Sequence, residues 1–362
     1  MIKVACVLSE VDYTTIPIDN FLALDPKFVK RTLVVLNTDY KKVRRVVDSK
    51  NLNCKDVEIK CFENYRFYFA KCVVFLLFLS KSSFDILHSH HSLSALLASV
   101  SSLFNKRTKH IVTIHSQFSK YRLLVKFCFY FSMLISKKII ANSYETRKNI
   151  FKVYPNRKTS VVYNGSMVYQ DNTQTIISCQ DKFCIGTVSR LTPVKDHSTL
   201  IKAYFNFCSE HDLDDDTRLV IVGDGELRGE LTRLAIDLGI ENKVVFTGML
   251  KRSEAMRVLS HLDIFVVSSL YEGFCNAMVE AMFLRVPIIA TKIPVLEEVL
   301  GVSNGLMFKV GSDKELSNLI GEFYANNISI NTEGAFMRAN DFFTILASSK
   351  KHQKIYKNTV TV

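Results

Sequence analysis

Short apolar runs and amphipathic stretches alternate along the first half of the chain. The apolar runs predict six strands, which are IKVACVL (2–8), TLVVLN (32–37), DILHSH (85–90), HIVTIH (110–115), KIIAN (138–142) and SVVYNG (160–165). Patterns with helical spacing occur between these runs, near residues 65–80, 92–104, 119–136 and 143–153. Strands that alternate with helices predict an α/β fold with a parallel sheet covered on both faces.

The second half repeats this organisation after a polar segment, SMVYQDNTQTIISCQD, which we interpret as a linker. Five strands are predicted, at FCIGTVS (183–189), TRLVIVG (217–223), KVVFTG (243–248), DIFVVSS (263–269) and VPIIAT (286–291). Helices are predicted near 196–209, 226–238, 253–260 and 275–284. The second half therefore predicts a complete doubly wound domain of its own.

The basic tail, roughly residues 335 to 358, has a helical pattern whose expected packing residues are Phe336, Phe342, Phe343 and Ile355. We expect this tail to pack back on the N-terminal domain. The predicted organisation is a Rossmann-like N-terminal domain (1–165), a linker (166–181), a Rossmann-like C-terminal domain (182–335) and a helical tail (336–362).

Residues with chemically useful side chains or flexible backbones follow the predicted strands in both halves. Ligands of open parallel sheets bind beyond the carboxyl ends of the strands. The residues at such positions are His88, His90, His115, Asn164, Gly165, Arg190, Gly223, Gly225 and Glu272. Their agreement in both halves predicts two domains that face each other across a ligand-binding cleft.

The segment YEGFCNAMVEAM contains the clearest candidate chemistry. Gly273, Phe274 and Cys275 stand at the start of a predicted helix, and a helix start carries about half a positive charge that attracts phosphate. Glu272 precedes the helix and can accept hydrogen bonds from hydroxyl groups. Glu280 lies eight positions further on, where it is either a ligand contact or an ion-paired helix residue.

A second segment, SRLTPVKDHSTLIKAY, contributes two cations. Arg190 and Lys195 flank a turn that is closed by Pro193. Two cations beside a helix start would neutralise a diphosphate without a metal ion. Taken alone, they are equally typical of solvated loop residues, and only the combination with Glu272 and Glu280 indicates a site.

Charge is unevenly distributed over the 362 residues. Residues 1 to 170 contain 27 Lys and Arg and 11 Asp and Glu, a net charge of +16, whereas the remainder has a net charge of −4. A basic half favours an anionic partner, either nucleic acid, anionic lipid or a phosphate-bearing acceptor, although a solvated basic face is also possible.

Nine scattered cysteines include no Cys-x-x-Cys pair, and the short apolar start has no features of a secretory signal. We expect reduced thiols and a cytoplasmic location. No apolar run reaches the roughly 18 to 20 residues that span a bilayer. The longest runs, CVVFLLFLS (72–80) and LLVKFCFYFSMLI (123–135), indicate buried or interfacial helices.

The segments VSRLTPVKDHSTLIKAY, IVGDGELRGEL, VVFTGML, SSLYEGFCNAMVEAM and VPIIAT, in this order and spacing, resemble the nucleotide-sugar domain of family 4 glycosyltransferases. DILHSHHSLSALLA, IVTIHS, IIANS and VVYNGSM are similar to the same family. The resemblance covers most of the chain and is strongest across 183–291. It implies the GT-B architecture, retention of anomeric configuration and no requirement for a metal or another cofactor.

The resemblance also implies roles for individual residues. Glu280 would hold the ribose hydroxyls and Glu272 the donor sugar, while Arg190 and Lys195 would stabilise the departing diphosphate. His115 would lie beside the reacting centre. The remaining implied contacts are Gly223, Thr247, Gly248, Met249, Leu250, Gly273, Phe274 and Cys275 for the donor, and His90 and Asn164 for the acceptor.

The sequence departs from the family pattern after the first strand. Many members have a glycine-rich turn there, whereas SEVDYTTIPIDN (9–20) contains no glycine. This difference indicates another acceptor geometry or reduced activity. The donor nucleotide, UDP or GDP, and the sugar stay open. The expected acceptor is a glycan or a lipid-diphosphate-linked glycan of a surface polysaccharide, such as lipopolysaccharide, O-antigen or capsule, with peripheral contact at the inner face of the cytoplasmic membrane.

Four other functional classes compete with this interpretation. A nucleotide-sugar epimerase or a non-catalytic sugar-binding relative would share the architecture. A dinucleotide-dependent oxidoreductase would need a Gly-x-Gly-x-x-Gly turn after the first strand, which is absent. A nucleic-acid-binding protein has no reason to keep the spacing of Glu272 and Glu280, so we expect no nucleic-acid partner.

Overall fold

A computed structural model describes the chain except residues 12–15, 51, 53, 55, 64–66, 156–157, 168–181, 212, 214–215 and 362. The chain forms two compact units. The first unit consists of Met1–Gly165 together with Phe342–Val362, and the second unit consists of Ser166–Asp341. The predicted linker lies, from residue 168 onward, outside the described residues.

Each unit is built on one parallel sheet, as the alternation of strands and helices predicts. The strands of the first sheet are β1 (Ile2–Leu8), β2 (Val29–Val35), β3 (Glu58–Cys61), β4 (Ile86–Ser89), β5 (Lys109–Ile114), β6 (Lys138–Ala141) and β7 (Thr159–Val161). The strands of the second sheet are β8 (Phe183–Val188), β9 (Thr217–Val222), β10 (Val244–Gly248), β11 (Ile264–Val267), β12 (Ile288–Thr291) and β13 (Leu306–Phe308).

The strand orders are β3-β2-β1-β4-β5-β6-β7 and β10-β9-β8-β11-β12-β13. In both sheets the order reverses direction beside the first strand in sequence, which is the doubly wound Rossmann-like arrangement. The apolar strands β4, β11 and β12 are buried along their whole length because helices cover both faces of each sheet.

Helices connect the strands in the order of the chain. They are α1 (Ile16–Leu22), α2 (Tyr40–Asp48), α3 (Tyr68–Lys81), α4 (Ser92–Phe104), α5 (Leu123–Ile135), α6 (Tyr144–Val153), α7 (His197–Glu210), α8 (Arg228–Asp237), α9 (Arg252–Ser260), α10 (Asn276–Phe283), α11 (Pro294–Leu300), α12 (Asp313–Tyr324), α13 (Thr332–Phe342) and α14 (Ile345–Val360).

The C-terminal tail forms two helices rather than one. A break at Phe343 and Thr344 separates α13 from α14, and the Thr344 hydroxyl caps α14 by accepting a 3.1 Å hydrogen bond from the amide of Ala347. Of the packing residues expected there, Phe343 is fully buried, but Phe342 is 42% exposed because it ends α13 on the solvent side.

Helix α14 belongs to the first unit, which confirms that the end of the chain packs back on the N-terminal domain. Its Tyr356 lies in the same buried cluster as Val4 and Ile18, and its Ser348 hydroxyl donates a 2.9 Å hydrogen bond to the carbonyl of Tyr163. The last helix therefore completes a core that begins with the first strand.

Candidate active site

The carboxyl ends of β8, β9 and β11 lie at one edge of the second sheet. Ser189 and Arg190 follow β8, Gly223 follows β9 and Ser268 follows β11. The strands are parallel and directly paired, so these residues emerge side by side. This edge is where a ligand of an open parallel sheet is expected to bind.

Gly223 allows the strand ends at this edge to approach closely. Its φ angle is +134°, and a Cβ atom there would lie 2.0 Å from the carbonyl oxygen of Ser189. Its amide also donates a 3.1 Å hydrogen bond to the carbonyl of Gly248. Backbone packing thus explains this glycine, and its predicted contact with the donor stays a prediction.

Lys195 and Glu272 form an ion pair that is largely shielded from water. Their side chains are 22% and 10% exposed, and Lys195 Nζ donates a hydrogen bond to Glu272 Oε1. Burial lowers the pKa of Lys195, but the charge of Glu272 and their hydrogen bond raise it, and the resulting pKa lies above its ordinary value. Lys195 is therefore a permanent cation at this edge.

The loops that bear this pair are joined by further hydrogen bonds. The hydroxyl of Ser269 donates to Glu272 Oε1 at 2.8 Å, and the hydroxyl of Ser268 donates to the carbonyl of Lys195 at 2.7 Å. The amide of Leu270 donates to the carbonyl of Val194 at 2.8 Å. Both charged side chains are consequently held in position before any ligand arrives.

Arg190 lies close to this pair but on the exposed side. Its side chain is exposed, and its charge acts on Lys195 in the direction that lowers the lysine pKa. The two predicted cations are thus near each other, with Lys195 fixed by Glu272 and Arg190 facing water.

Glu280 is buried and is bound by an arginine that the sequence analysis did not identify. Arg252, the first residue of α9, donates from Nε at 3.0 Å and from Nη2 at 2.7 Å to the Oε1 atom of Glu280. The Nη2 atom also donates to the hydroxyl of Ser166 at 3.1 Å. A cation at a helix start is unfavourable because it opposes the helix dipole. The position of Arg252 at the start of the predicted helix is the sequence feature that could have drawn attention to it.

Helix α10 begins at Asn276, directly after the predicted amides of Gly273, Phe274 and Cys275. Cys275 precedes the first turn and contributes no side-chain capping hydrogen bond. Burial, reinforced by the charge of Glu272, raises the pKa of the Cys275 thiol to about 12, so the thiol stays protonated. Cys275 therefore places an uncharged side chain before the first turn of α10. The positive end of the helix dipole favours an anionic ligand here.

The predicted base-facing segment follows the end of β10. Thr247 and Gly248 end this edge strand, and Met249 is 63% exposed. Arg228, which begins α8, donates a 3.2 Å hydrogen bond to the carbonyl of Phe246 and lies over the Phe246 ring. Arg228 thus contacts the strand that leads into this segment, whereas Met249 is accessible to solvent.

In the first unit, His115 follows β5 and contacts the predicted acceptor-side residue His90. The His90 Nδ1 and His115 Nε2 atoms are 3.1 Å apart. Burial, with smaller contributions from His91 and His352, lowers the pKa of His115 to about 3. His115 is therefore neutral near pH 7, able to accept or donate a hydrogen bond but not to act as a cation.

His88 lies between His90 and helix α14. The rings of His88 and His90 are 4.2 Å apart, and His88 is hydrogen-bonded to Tyr356 at 2.6 Å and to Thr113 at 2.7 Å. Both ring nitrogens of His88 are thus engaged by protein groups. Within the described part of the chain, no group of three or more His, Cys, Asp and Glu side chains is placed to hold a metal ion.

A cavity of about 700 Å³ lies at the carboxyl edge of the first sheet. Its lining includes Glu10, Asn37, Lys42, Tyr68 and His91, which follow β1, β2 and β4 or belong to the adjoining helices. Many family members have a glycine-rich turn after the first strand. In this chain the segment at that position contributes Ser9, Glu10 and Val11 to the lining of the cavity. Asn164 lies after β7 and is buried, but it does not line this cavity.

Comparison with protein families gives the same division of the chain. The model described as Glycosyltransferase Family 4 matches residues 31–166, and the model described as Glycosyl transferases group 1 matches residues 171–335. The two matches follow each other in the order of the two units. The chain belongs to the family 4 glycosyltransferases.

Curated relatives of this family 4 glycosyltransferase match it over part of their length. An uncharacterized glycosyltransferase of Methanocaldococcus jannaschii is 32% identical over 161 residues, 43% of this chain and 37% of the relative. The N-acetylgalactosamine-N,N'-diacetylbacillosaminyl-diphospho-undecaprenol 4-alpha-N-acetylgalactosaminyltransferase of Campylobacter jejuni is 29% identical over 143 residues, 39% of this chain and 36% of the relative. The matched parts span less than half of these relatives.

Solved structures resemble this family 4 glycosyltransferase along its whole length. The crystal structure of HepE from Anabaena in complex with UDP-glucose has a TM-score of 0.79 and 17% sequence identity, and the match covers 99% of this chain and 100% of HepE. This likeness establishes the GT-B fold that the sequence predicts.

Proposed function

We propose that the chain transfers a hexose-type sugar from a nucleoside-diphosphate donor to a glycan or lipid-linked glycan acceptor. The observation that carries this proposal is the shielded ion pair of Lys195 and Glu272 beside Arg190, at the carboxyl edge of the second sheet. A fixed cation next to a fixed acid suits a ligand that has both phosphate and hydroxyl groups.

In the proposed reaction, the bond between the sugar and the diphosphate breaks and negative charge grows on the leaving oxygen. Lys195, Arg190 and the start of α10 supply positive potential for that charge, while Glu272 accepts hydrogen bonds from the sugar. Because these groups are cationic and preorganised, the reaction is proposed to need no metal ion or cofactor. Attack by the acceptor hydroxyl on the face that the diphosphate leaves would retain the anomeric configuration.

His115 is proposed to contact the sugar or the incoming hydroxyl as a neutral imidazole. Its low pKa supports this role, since a cation there would oppose the positive charge that develops on the sugar ring. Its contact with His90 supports a fixed ring orientation.

The acceptor is proposed to be a glycan carried on a lipid diphosphate. The Campylobacter relative is named for a diphospho-undecaprenol acceptor, and HepE was solved with UDP-glucose. The cavity beside Lys42 and Tyr68 offers a cation and an aromatic ring in the first unit, which suits a charged and partly apolar acceptor.

Helix α5 is proposed to rest on an anionic membrane surface. It exposes an apolar stripe in which Leu123 is 85% exposed and Phe127 is 62% exposed, continued by Tyr130 and Leu134. Arg122 and Lys126 flank this stripe, and the helix contains no acidic residue. None of the described helices is long and apolar enough to cross a membrane, so the proposed contact is peripheral, at the inner face of the cytoplasmic membrane.

The direct test is an assay that combines UDP- and GDP-hexoses with undecaprenyl-diphosphate-linked saccharides. We expect release of nucleoside diphosphate that depends on the acceptor, continues in EDTA, and gives a product whose anomeric configuration by NMR equals that of the donor. Isomerisation of the donor without an acceptor would indicate an epimerase instead. Binding of donor without any turnover would indicate a non-catalytic relative, and both results would contradict the proposal.

A further inference from the structure

Arg252 makes the closest contacts to the acid that is proposed to hold the nucleotide ribose. The side chains of Arg252 and Glu280 are 20% and 11% exposed, so their ion pair is only partly screened by water. The two residues are 28 positions apart and come from different helices, α9 and α10. The pair therefore links the segment after β10 to the helix that carries Glu280.

The two hydrogen bonds of this pair end on one oxygen atom. Both Nε and Nη2 of Arg252 donate to Oε1 of Glu280. The second oxygen of Glu280, Oε2, accepts no hydrogen bond from any residue that the structure describes. Since a carboxylate can accept at both oxygens, one acceptor atom stays available for a ligand.

The placement of Arg252 is unfavourable for the helix that it begins. Cations are destabilising at a helix start, where the helix dipole favours acids such as Glu254 in the first turn of α9. The Nη2 atom of Arg252 also donates a hydrogen bond to the hydroxyl of Ser166. Glu280 and Ser166 together restrict the orientation of the guanidinium group.

We propose that Arg252 is a positioning residue for nucleotide binding. It holds the Glu280 carboxylate by Oε1, so that Oε2 accepts hydrogen bonds from the ribose hydroxyls of a nucleoside diphosphate. This inference rests on the proposed function, because it needs a nucleoside-diphosphate donor whose ribose meets Glu280, the role that the family resemblance implies for this residue. It adds a specificity determinant that neither the sequence nor the comparisons indicate.

A positioning role for Arg252 predicts an effect on nucleotide binding that a purely structural ion pair would not have. If Arg252 orients Glu280 towards the ribose, its loss weakens binding of ribose-containing nucleotides more than binding of analogues that lack the hydroxyls. A hydrogen bond to a charged group contributes enough for its loss to weaken binding about tenfold. The ratio of the two affinities therefore reports the role of Arg252 separately from general stability.

The second unit provides a matched control pair. Arg285 donates from Nε at 2.7 Å to Glu333, and these side chains are 47% and 62% exposed. This pair joins the end of α10 to α13 rather than to α9. Arg285→Gln thus removes an arginine–glutamate pair without touching Glu280.

The experiment is isothermal titration calorimetry of the full chain with UDP, with GDP and with the 2′,3′-dideoxy form of each. Wild type is compared with Arg252→Gln, Arg252→Lys, Glu280→Gln, the double variant Arg252→Gln/Glu280→Gln and Arg285→Gln. Circular dichroism and thermal melting of each variant establish that it is folded.

We expect wild type to bind one ribose nucleotide at least about tenfold more tightly than its dideoxy form. Arg252→Gln should reduce this ratio towards one, Arg252→Lys should restore part of it, and Arg285→Gln should leave it unchanged. The double variant should discriminate no less than Glu280→Gln alone, because both changes act on the same contact.

Two results would overturn the inference, and they are distinguishable. An unchanged ratio in folded Arg252→Gln, with wild type binding UDP or GDP, would remove the role of Arg252 and leave the proposed function intact. Absence of any nucleoside-diphosphate binding by wild type would remove both. If Arg252→Gln does not fold, Arg252→Lys is combined with Glu280→Gln instead. If the losses of discrimination between ribose and dideoxy nucleotides in the two single variants add up in this double variant, the two residues act independently, and the inference is contradicted.

Discussion

The Nδ1 atom of His90 lies 3.1 Å from the Nε2 atom of His115, so one imidazole holds the other at the carboxyl edge of the first sheet. A shared hydrogen bond between two neutral rings requires one nitrogen to carry the proton and the other to accept it. The tautomers of His90 and His115 are therefore coupled, which makes the pair relevant to the proposed reaction.

Replacing His115 by Ala should reduce transfer by about 10²-fold or more and leave donor affinity within about twofold, because the proposed contact forms with the reacting groups and not with the nucleotide. Steady-state kinetics and calorimetry with the nucleoside diphosphate measure the two effects. His261→Ala, at an exposed histidine of the second unit, is the control. Wild-type turnover in His115→Ala would reduce His115 to a structural residue.

Replacing Lys195 by Met should lower kcat by about 10²- to 10³-fold, the range found when one preorganised donor is removed from a site of developing negative charge. The change also removes the cation that is paired with Glu272, so binding of the nucleoside diphosphate should weaken. Lys202→Met changes an exposed lysine of the following helix, α7, and should have no effect. Equal kinetics for the two variants would argue against the proposed role of Lys195.

Two glycines of the second unit should respond to alanine in opposite directions. Gly223→Ala places a methyl group against the Ser189 carbonyl in a backbone conformation that L-residues avoid, so it should destabilise the chain by more than about 1 kcal/mol. Gly229 lies in α8 with no atom within 4 Å of the added carbon, and Gly229→Ala should stabilise by about 0.5 to 1 kcal/mol. Urea unfolding gives both values, and a tolerated Gly223→Ala would show that the strand ends can move apart.

The first unit should lose stability in mild acid. Burial lowers the pKa of His110 and His115 to about 3. It lowers the pKa of His352 to about 4, although the hydrogen bond that His352 donates to the carbonyl of Ser348 acts in the opposite direction. Unfolded histidines take up protons as the pH falls through about 6.5, whereas these folded ones do not until about pH 4. Their contribution is complete above pH 6.5 and declines below it.

The loss should reach about 1.4 kcal/mol per pH unit for each extra proton that the unfolded chain binds. Urea midpoints measured between pH 7.5 and pH 5 test this expectation. The exposed His261 provides a control, since His261→Ala should leave the slope unchanged. A flat profile over this range would mean that the buried imidazoles become protonated without unfolding.

Binding to vesicles that contain phosphatidylglycerol should weaken about tenfold or more when Leu123 and Phe127 are replaced by Ser, because burial of each such side chain contributes about 1.5 to 3 kcal/mol. Co-sedimentation at low salt measures the change, and phosphatidylcholine vesicles separate the contribution of charge. Val302→Ser removes an equally exposed apolar residue of the second unit and serves as the control. Identical sedimentation of the variants would exclude α5 as the contact.

Periodicity predicted every long strand of both sheets, because an apolar run between turn signals identifies a buried parallel strand. It missed β3, which alternates polar and apolar residues at the sheet edge, and β13, which has three residues. Helices α1, α2, α11 and α12 were also missed. Short or strongly charged segments such as YKKVRRVVD acquire their helical structure from packing on the sheet.

Site residues could be predicted where their position along the chain was informative, and not where they depend on contacts between distant segments. Glu272 and Arg190 were found because each follows a strand end, and the topology brings such positions together. Lys195 was found because it flanks the same turn as Arg190. Arg252 was missed because its relation to Glu280 depends on the neighbouring placement of α9 and α10. No spacing along the chain encodes that contact.

The position of α14 sets a condition on synthesis. Tyr356 completes the hydrophobic core around Val4 and Ile18, although more than 300 residues separate it from both in sequence. While the ribosome is still translating the second unit, the first unit lacks this helix and exposes the apolar surface that it later covers. The nascent chain is therefore most vulnerable to aggregation and to proteases until α14 has been synthesised.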